Sequence, residues 1–232
     1  MQFSGYILGK LPSAITSDLA ALFTLLPPDI IDYKSNGFQS RFRCFGAFRG
    51  DGEGFAPDIN VRDRFNHKKK FHTDNRDRHP APLPQEALQE GLIERLLKTI
   101  FSGSPLKSHR GYLYGVNLIR VTANDDFMGA PAPGLHQDGY DYSCHINIAR
   151  NNVSGGASII AETSSPETTV LDHELQPGEY VFFNDRTLHH TATPVTPRYG
   201  GHPTWRDMII IDFIEDDRAF SHEEPASIAV EG

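Results

Sequence analysis

The rhythm of apolar positions changes partway along the chain, from a helical period to short alternating runs. Residues 13–26 (SAITSDLAALFTLL) carry a helical stripe, with Ser13 or Ser17 available as a cap and Pro27-Pro28 as a sharp end. Residues 38–48 alternate instead. Phe38, Ser40, Phe42, Cys44 and Gly46 fall on one face, and Gln39, Arg41, Arg43 and Phe45 on the other, which predicts a half-buried strand with a basic second face. Residues 50–84 are polar and punctuated by Pro and Gly, and their charged run Lys68-Lys69-Lys70 reads as a solvated loop. The strongest helix is predicted over residues 86–101. Leu88, Leu92, Leu96 and Ile100 recur every fourth position, Ile93, Leu97 and Phe101 widen the stripe, and Gly103 stands where a left-handed cap is often needed.

Beyond that helix the chain reads as short strands at residues 112–121, 144–148, 157–161, 180–183, 189–195 and 208–213. Turn residues separate them: Ala-Pro-Ala-Pro-Gly at 130–134, Asn-Asn-Val-Ser-Gly-Gly at 151–156, Gln-Pro-Gly at 176–178 and Pro-Arg-Tyr-Gly-Gly at 197–201. Closely spaced strands without intervening helices argue for an antiparallel sandwich or barrel. The expected fold is mainly β, a jelly roll with N-terminal helices packed against it. No linker divides the chain, so residues 1–232 are expected to form one domain: a helical portion at 1–109, a jelly-roll core at 110–215 and an acidic tail at 216–232.

Composition narrows the function classes. The 232 residues are 38% hydrophobic, enough for one sizeable core. A net charge of −8 argues against a nucleic-acid partner, which a basic excess or stripe would accompany. The two cysteines, Cys44 and Cys144, suit reduced thiols better than a disulfide framework. No signal peptide is visible, and no apolar run approaches the ~18 residues of a bilayer span, so a soluble, cytoplasmic protein without a membrane partner is expected.

The chemistry-bearing residues are histidines and carboxylates. Iron that must bind dioxygen and an organic co-substrate needs three protein ligands on one face and three open positions opposite. A His-x-Asp pair supplies two of them, because residues i and i+2 of a strand project the same way. Two such pairs occur, His72-Thr-Asp74 and His136-Gln-Asp138. The first lies in the charged loop KKKFHTDNRDRH. The second follows a Pro/Gly turn and opens the strand-rich half, which makes it the better candidate. A third ligand would come from His189 or His190, and adjacent strand residues face opposite ways, so at most one of them can serve. Arg206, at the head of the apolar strand Met-Ile-Ile-Ile-Asp-Phe, could clamp a co-substrate carboxylate, with Arg198 as the runner-up.

Four stretches together resemble the Fe(II)/2-oxoglutarate dioxygenase family typified by the bacterial free L-isoleucine hydroxylases. They are Gly134-Leu-His-Gln-Asp-Gly139, Arg150-Asn-Asn-Val-Ser-Gly-Gly-Ala-Ser158, Asn184-Asp-Arg-Thr-Leu-His-His190 with Thr193-Pro194 after it, and Arg206-Asp-Met-Ile-Ile-Ile-Asp-Phe213. The match runs over roughly residues 110 to 215 and is looser before them. The resemblance implies a double-stranded β-helix, Fe(II) on His136, Asp138 and His190, and 2-oxoglutarate on Arg206. It further implies that a free amino acid or similar small metabolite is oxidised, in the first instance hydroxylated, with succinate and carbon dioxide as co-products.

Arg120 and Arg150 are the candidate partners for the substrate's carboxylate, and Tyr140 and Asp141 for its amine. The same cofactors could instead drive ring closure or desaturation. A halogenase of this fold would need a small residue where Asp138 stands. A cupin-like binding protein would share the fold without the turnover, and a zinc hydrolase finds no His-Glu-x-x-His motif here.

Overall fold

A computed structural model describes residues 3, 5–29, 38–50, 54–65, 80–106, 111–129 and 134–216. The Lys68–Lys70 run, the His72-Asp74 pair, most of the Pro/Gly turn at 130–134 and nearly all of the acidic tail lie outside them. In chain order the strands are β1 (Tyr6–Lys10), β2 (Arg41–Gly50), β3 (Phe55–Pro57), β4 (Ala81–Pro82), β5 (Tyr112–Ala123), β6 (Tyr142–Asn151), β7 (Val153–Gly155), β8 (Ser158–Ala161), β9 (Thr169–His173), β10 (Glu179–Phe183), β11 (His189–Ala192), β12 (Val195–Pro197) and β13 (Thr204–Glu215). The α-helices are α1 (Ser13–Ala20), α2 (Gln85–Gln89) and α3 (Leu92–Gly103).

The large sheet runs β1-β10-β6-β13-β5-β2-β3, with β4 added in parallel along β2 and every other pairing antiparallel. Facing it are β11-β8-β9 and β12-β7, and bridges Gly129↔Val195 and His136↔His190 extend this second wall. Alternation of the strands between two walls is the jelly roll that the strand spacing predicts.

The long strands put opposite chemistry on their two faces. Tyr114, Val116 and Leu118 of β5, Tyr142, Cys144 and Ile146 of β6, and Ile209, Ile211 and Phe213 of β13 join one core with Leu19 of α1 and Ile93, Leu96, Leu97 and Ile100 of α3. Each such side chain contributes roughly 1.5–3 kcal/mol when fully buried, so this outer, helix-covered face supplies much of the stability. The opposite face looks into the sandwich and carries Asn117, Ser143, His145, Asn147, Arg206 and Asp212, all buried. Apolar plugs flank that polar centre: Phe45, Val61, Phe65, Leu113 and Tyr140 on one side, and Ile160, Val181, Phe183 and Met208 on another.

Several expectations change in detail. The predicted helix at 86–101 is two helices, because Gly91 takes a left-handed backbone (φ 63°) that starts α3 in a new direction and leaves Leu88 exposed. Gly103 is the last helical residue, with an extended Ser104 after it. The helix at 13–26 is α1 followed by a 3-10 turn, Ala21–Leu25, and Pro12 occupies the cap position in place of Ser13 or Ser17. The N-terminal part also does more than lay helices on the sheet, since it supplies β1 to one edge and β2 to β4 to the other. No helix among the described residues is long and apolar enough to cross a membrane.

Candidate metal and anion site

His136, Asp138 and His190 come together on the second wall, with one ligand atom from each lying within 4.8 Å of the others. The placement is a backbone matter first. His136 N–H donates to His190 O at 3.1 Å and His190 N–H donates to His136 O at 2.8 Å, a two-bond antiparallel bridge that puts the two imidazoles side by side. Asp138 reaches between them: its carboxylate lies 3.5 Å from His136 Nε2 and 3.4 Å from His190 Nε2. Cis donors about 2.1 Å from an octahedral metal stand about 3 Å apart, so these spacings need little adjustment to close on an ion.

The other ring nitrogens face oxygen atoms. His136 Nδ1 is 3.0 Å from Gly134 O, and His190 Nδ1 lies 3.3 Å from Asp185 Oδ1. A histidine held at Nδ1 presents Nε2 to a metal. Burial works against a proton on His190, but Asp138 and Asp185 outweigh it and raise its pKa to about 10. A metal cation would take the place of that proton. Two imidazoles and a carboxylate, with no fourth protein ligand in the cluster among the described residues, fit Fe(II).

Asp185 is a residue that sequence reasoning missed. Its carboxylate accepts the backbone N–H groups of Asp138 (3.3 Å), Gly139 (2.7 Å) and Tyr140 (3.0 Å) while facing His190. One buried side chain thus holds the His-x-Asp loop to the turn that leads into β11. The adjacent Asn184 shapes that turn by accepting the N–H groups of Arg186 and Thr187. Asp185→Asn should keep the fold and weaken iron binding by about 10- to 100-fold, the usual effect of losing a supporting partner. An iron titration giving the wild-type affinity would remove Asp185 from this role.

Arg206 is no solvated strand end. It is only 4% exposed, its Nε donates to Asn147 Oδ1 at 3.2 Å, and its Nη2 is buried without a partner. Asn147 Nδ2 is likewise buried and unpartnered. Gly156 keeps the space beside it free of a side chain: a Cβ there would sit 3.0 Å from Arg206 Cδ. Burial and then the charge of Arg150 hold the Arg206 guanidinium below its ordinary pKa, so an anion is what this corner lacks. These orphaned donors fit the far carboxylate of 2-oxoglutarate. Arg198, the runner-up, is exposed.

His145 is a second residue missed from sequence: it stands on the same inner face with its ring 5.0 Å from that of His190 and a buried, unpartnered Nε2. Burial, then His190, keeps its pKa well below the ordinary value and the ring neutral. Its parity with Ser143 and Asn147 was the available signal.

The expected substrate contacts lie differently. Arg120 projects from the outer face, where it donates to both oxygens of Asp207 (2.7 and 2.8 Å) and lies over the Trp205 ring. Arg150 does face inward, because a bulge at Ile148 shifts the β6–β13 register and sets Arg150 opposite Arg206. It donates to Gly155 O and Glu174, at the Arg206 end of the site and not beside Tyr140. Asp141 is fully buried and committed to Arg186 Nε (2.6 Å) and the Glu215 N–H (2.9 Å), so it is not open to an amine. Tyr140 is buried with its hydroxyl donating to Phe65 O.

The model of a family described as 2OG-Fe dioxygenase matches residues 20–212. No curated protein matches the chain. Among solved structures, the fold is similar to IDO from Bacillus thuringiensis, at 15% identity over 87% of this chain and 82% of that one, with a TM-score of 0.65. It is similar to a bsmA homologue from Methylobium petroleophilum PM1 at 20% identity, with coverage of 91% and 89% and a TM-score of 0.66. The Fe(II)/α-ketoglutarate-dependent dioxygenase TqaL follows at 13% identity, with coverage of 90% and 82% and a TM-score of 0.62.

Proposed function

Since the chain belongs to the 2OG-Fe dioxygenase family, and is therefore an enzyme whose cofactors are Fe(II) and 2-oxoglutarate, we propose that it oxidises a C–H bond of a free amino acid or similar small amine acid. Hydroxylation is the outcome the site serves most simply, with succinate and carbon dioxide as co-products. The observation that carries the reading is the pairing of the His136–Asp138–His190 cluster with a buried, anion-seeking Arg206 inside the same sandwich.

In this reading His136, Asp138 and His190 hold the iron and leave its opposite face open. Arg206 and Asn147 orient 2-oxoglutarate by its far carboxylate, and Gly156 leaves the room that this requires. Bound iron, 2-oxoglutarate and dioxygen supply the oxidising power that no side chain has. The protein's share is positioning. His145, neutral and short of a partner, offers one more directed contact to whatever lies beside His190. The apolar plugs around the polar centre limit water.

A free amino acid is favoured by the resemblance to the isoleucine hydroxylases and by the net charge of −8, which suits no polyanion. Free amino acids should raise succinate formation above the uncoupled background, whereas their N-acetyl or methyl-ester forms should not. Equal stimulation by free and blocked forms would show that the enzyme does not read the zwitterion.

A further inference from the structure

Two arginines are buried among the described residues, Arg206 and Arg43, and no carboxylate contacts either. The other paired arginines all have one: Arg41 with Asp29, Arg49 with Asp58, Arg95 with Asp18, Arg120 with Asp207, Arg150 with Glu174 and Arg186 with Asp141. Arg206 is accounted for by the co-substrate. Arg43 has no such explanation.

Arg43 sits on the second, basic face of β2, which the register turns into the sandwich beside β5. Its Nε (3.1 Å) and Nη2 both donate to one neutral atom, Asn117 Oδ1. The amide is oriented from behind: Asn117 Nδ2 donates to Asp212 Oδ2 at 3.3 Å, and Ser143 Oγ donates to Asp212 Oδ1 at 3.0 Å. Three strands therefore aim one guanidinium and use two of its five donors. Arg43 is 8% exposed, and burial followed by the repulsion of Arg41 works against its charge. Ser143, which holds Asp212, stands two residues before His145 on the same face of β6, and the His145 ring is 5.0 Å from that of His190, so this network reaches the metal side of the inner face. A fixed, desolvated, anion-free guanidinium with spare donors is what a carboxylate ligand needs for a bidentate contact.

We infer that Arg43, aimed by Asn117 and Asp212, is the residue that binds the carboxylate of the substrate. The inference rests on the amino-acid reading above and assigns to Arg43 the role expected of Arg120 and Arg150, each of which already has a carboxylate partner.

The test compares each stimulating amino acid with its decarboxylated amine, both in turnover and in equilibrium binding to oxygen-free enzyme loaded with iron and 2-oxoglutarate. The wild type should prefer the amino acid. In Arg43→Met the amino-acid KM should rise by about 30- to 1000-fold, and the preference over the amine should vanish. Equilibrium affinity for 2-oxoglutarate should stay at the wild-type level, because Arg206 and Asn147 lie apart from Arg43. Arg43→Lys should keep part of the preference. Asn117→Asp leaves Arg43 in place but gives it an internal carboxylate, so it should show the same selective loss, and it serves if Arg43→Met does not fold. A full preference surviving in these variants overturns the inference alone. A wild type that no amino acid stimulates or binds overturns the proposed substrate class, and the inference with it.

Discussion

His190→Ala should abolish turnover and strip the protein of iron, while His189→Ala should leave both close to wild type. The two residues are neighbours in β11 and project to opposite faces of a narrow strand. His190 alone is buried against the cluster, its ring 4.4 Å from that of His136, its backbone locked to His136 in both directions. Removing it takes away one of three metal donors and leaves Asp138 and Asp185 facing each other without the group that separates them. The loss should exceed the ~10- to 100-fold typical of a supporting residue. Iron titration and succinate release would read it. An inactive His189→Ala beside a fully active His190→Ala would transfer the ligand role to the other histidine.

Arg206→Met should lower the affinity for 2-oxoglutarate while iron stays bound. A bidentate, charge-assisted contact in a dry corner is worth on the order of 2–4 kcal/mol, or roughly 30- to 1000-fold. The methionine keeps the apolar bulk beside Gly156, so the strand should remain packed. Iron-dependent binding of 2-oxoglutarate, measured without oxygen, separates this from a loss of metal. Unchanged affinity in Arg206→Met, with a loss in Arg198→Met, would place the contact in the 197–201 loop.

Much of the frame was legible because short apolar runs stand between clear turn residues. β6 alternates along its length, whereas β10 and the middle of β13 are nearly continuous apolar runs, and β5 mixes the two. What escaped was short or context-made. β3, β4 and β7 have three residues or fewer, too few to show a period. The break at Gly91 hides inside an unbroken leucine stripe, since a stripe records which face is apolar and not whether the backbone turns.

The site divides in the same way. His136 and Asp138 were visible because i and i+2 share a face, whereas His189 and His190 are equivalent until a family pattern or a tertiary bridge distinguishes them. The outward placement of Arg120 could have been read, because it shares parity with Tyr114, Val116 and Leu118. The inward turn of Arg150 could not, because it depends on the bulge at Ile148. Asp185 acts on a loop 45 to 47 residues away, which no local pattern encodes.

The large sheet, with its helix-covered face and its reactive one, bears on how such a protein can change over time. Leu96, Ile146 and Ile211 hold the chain together from one side of a single layer of backbone, and Arg43, His145 and Asp212 do their work from the other. A substitution that reshapes what the inner face accepts need not touch the contacts that keep the chain folded. Two lineages can therefore drift to different substrates while retaining nearly the same scaffold, and similarity of the outer core says little about what the inner face has come to prefer.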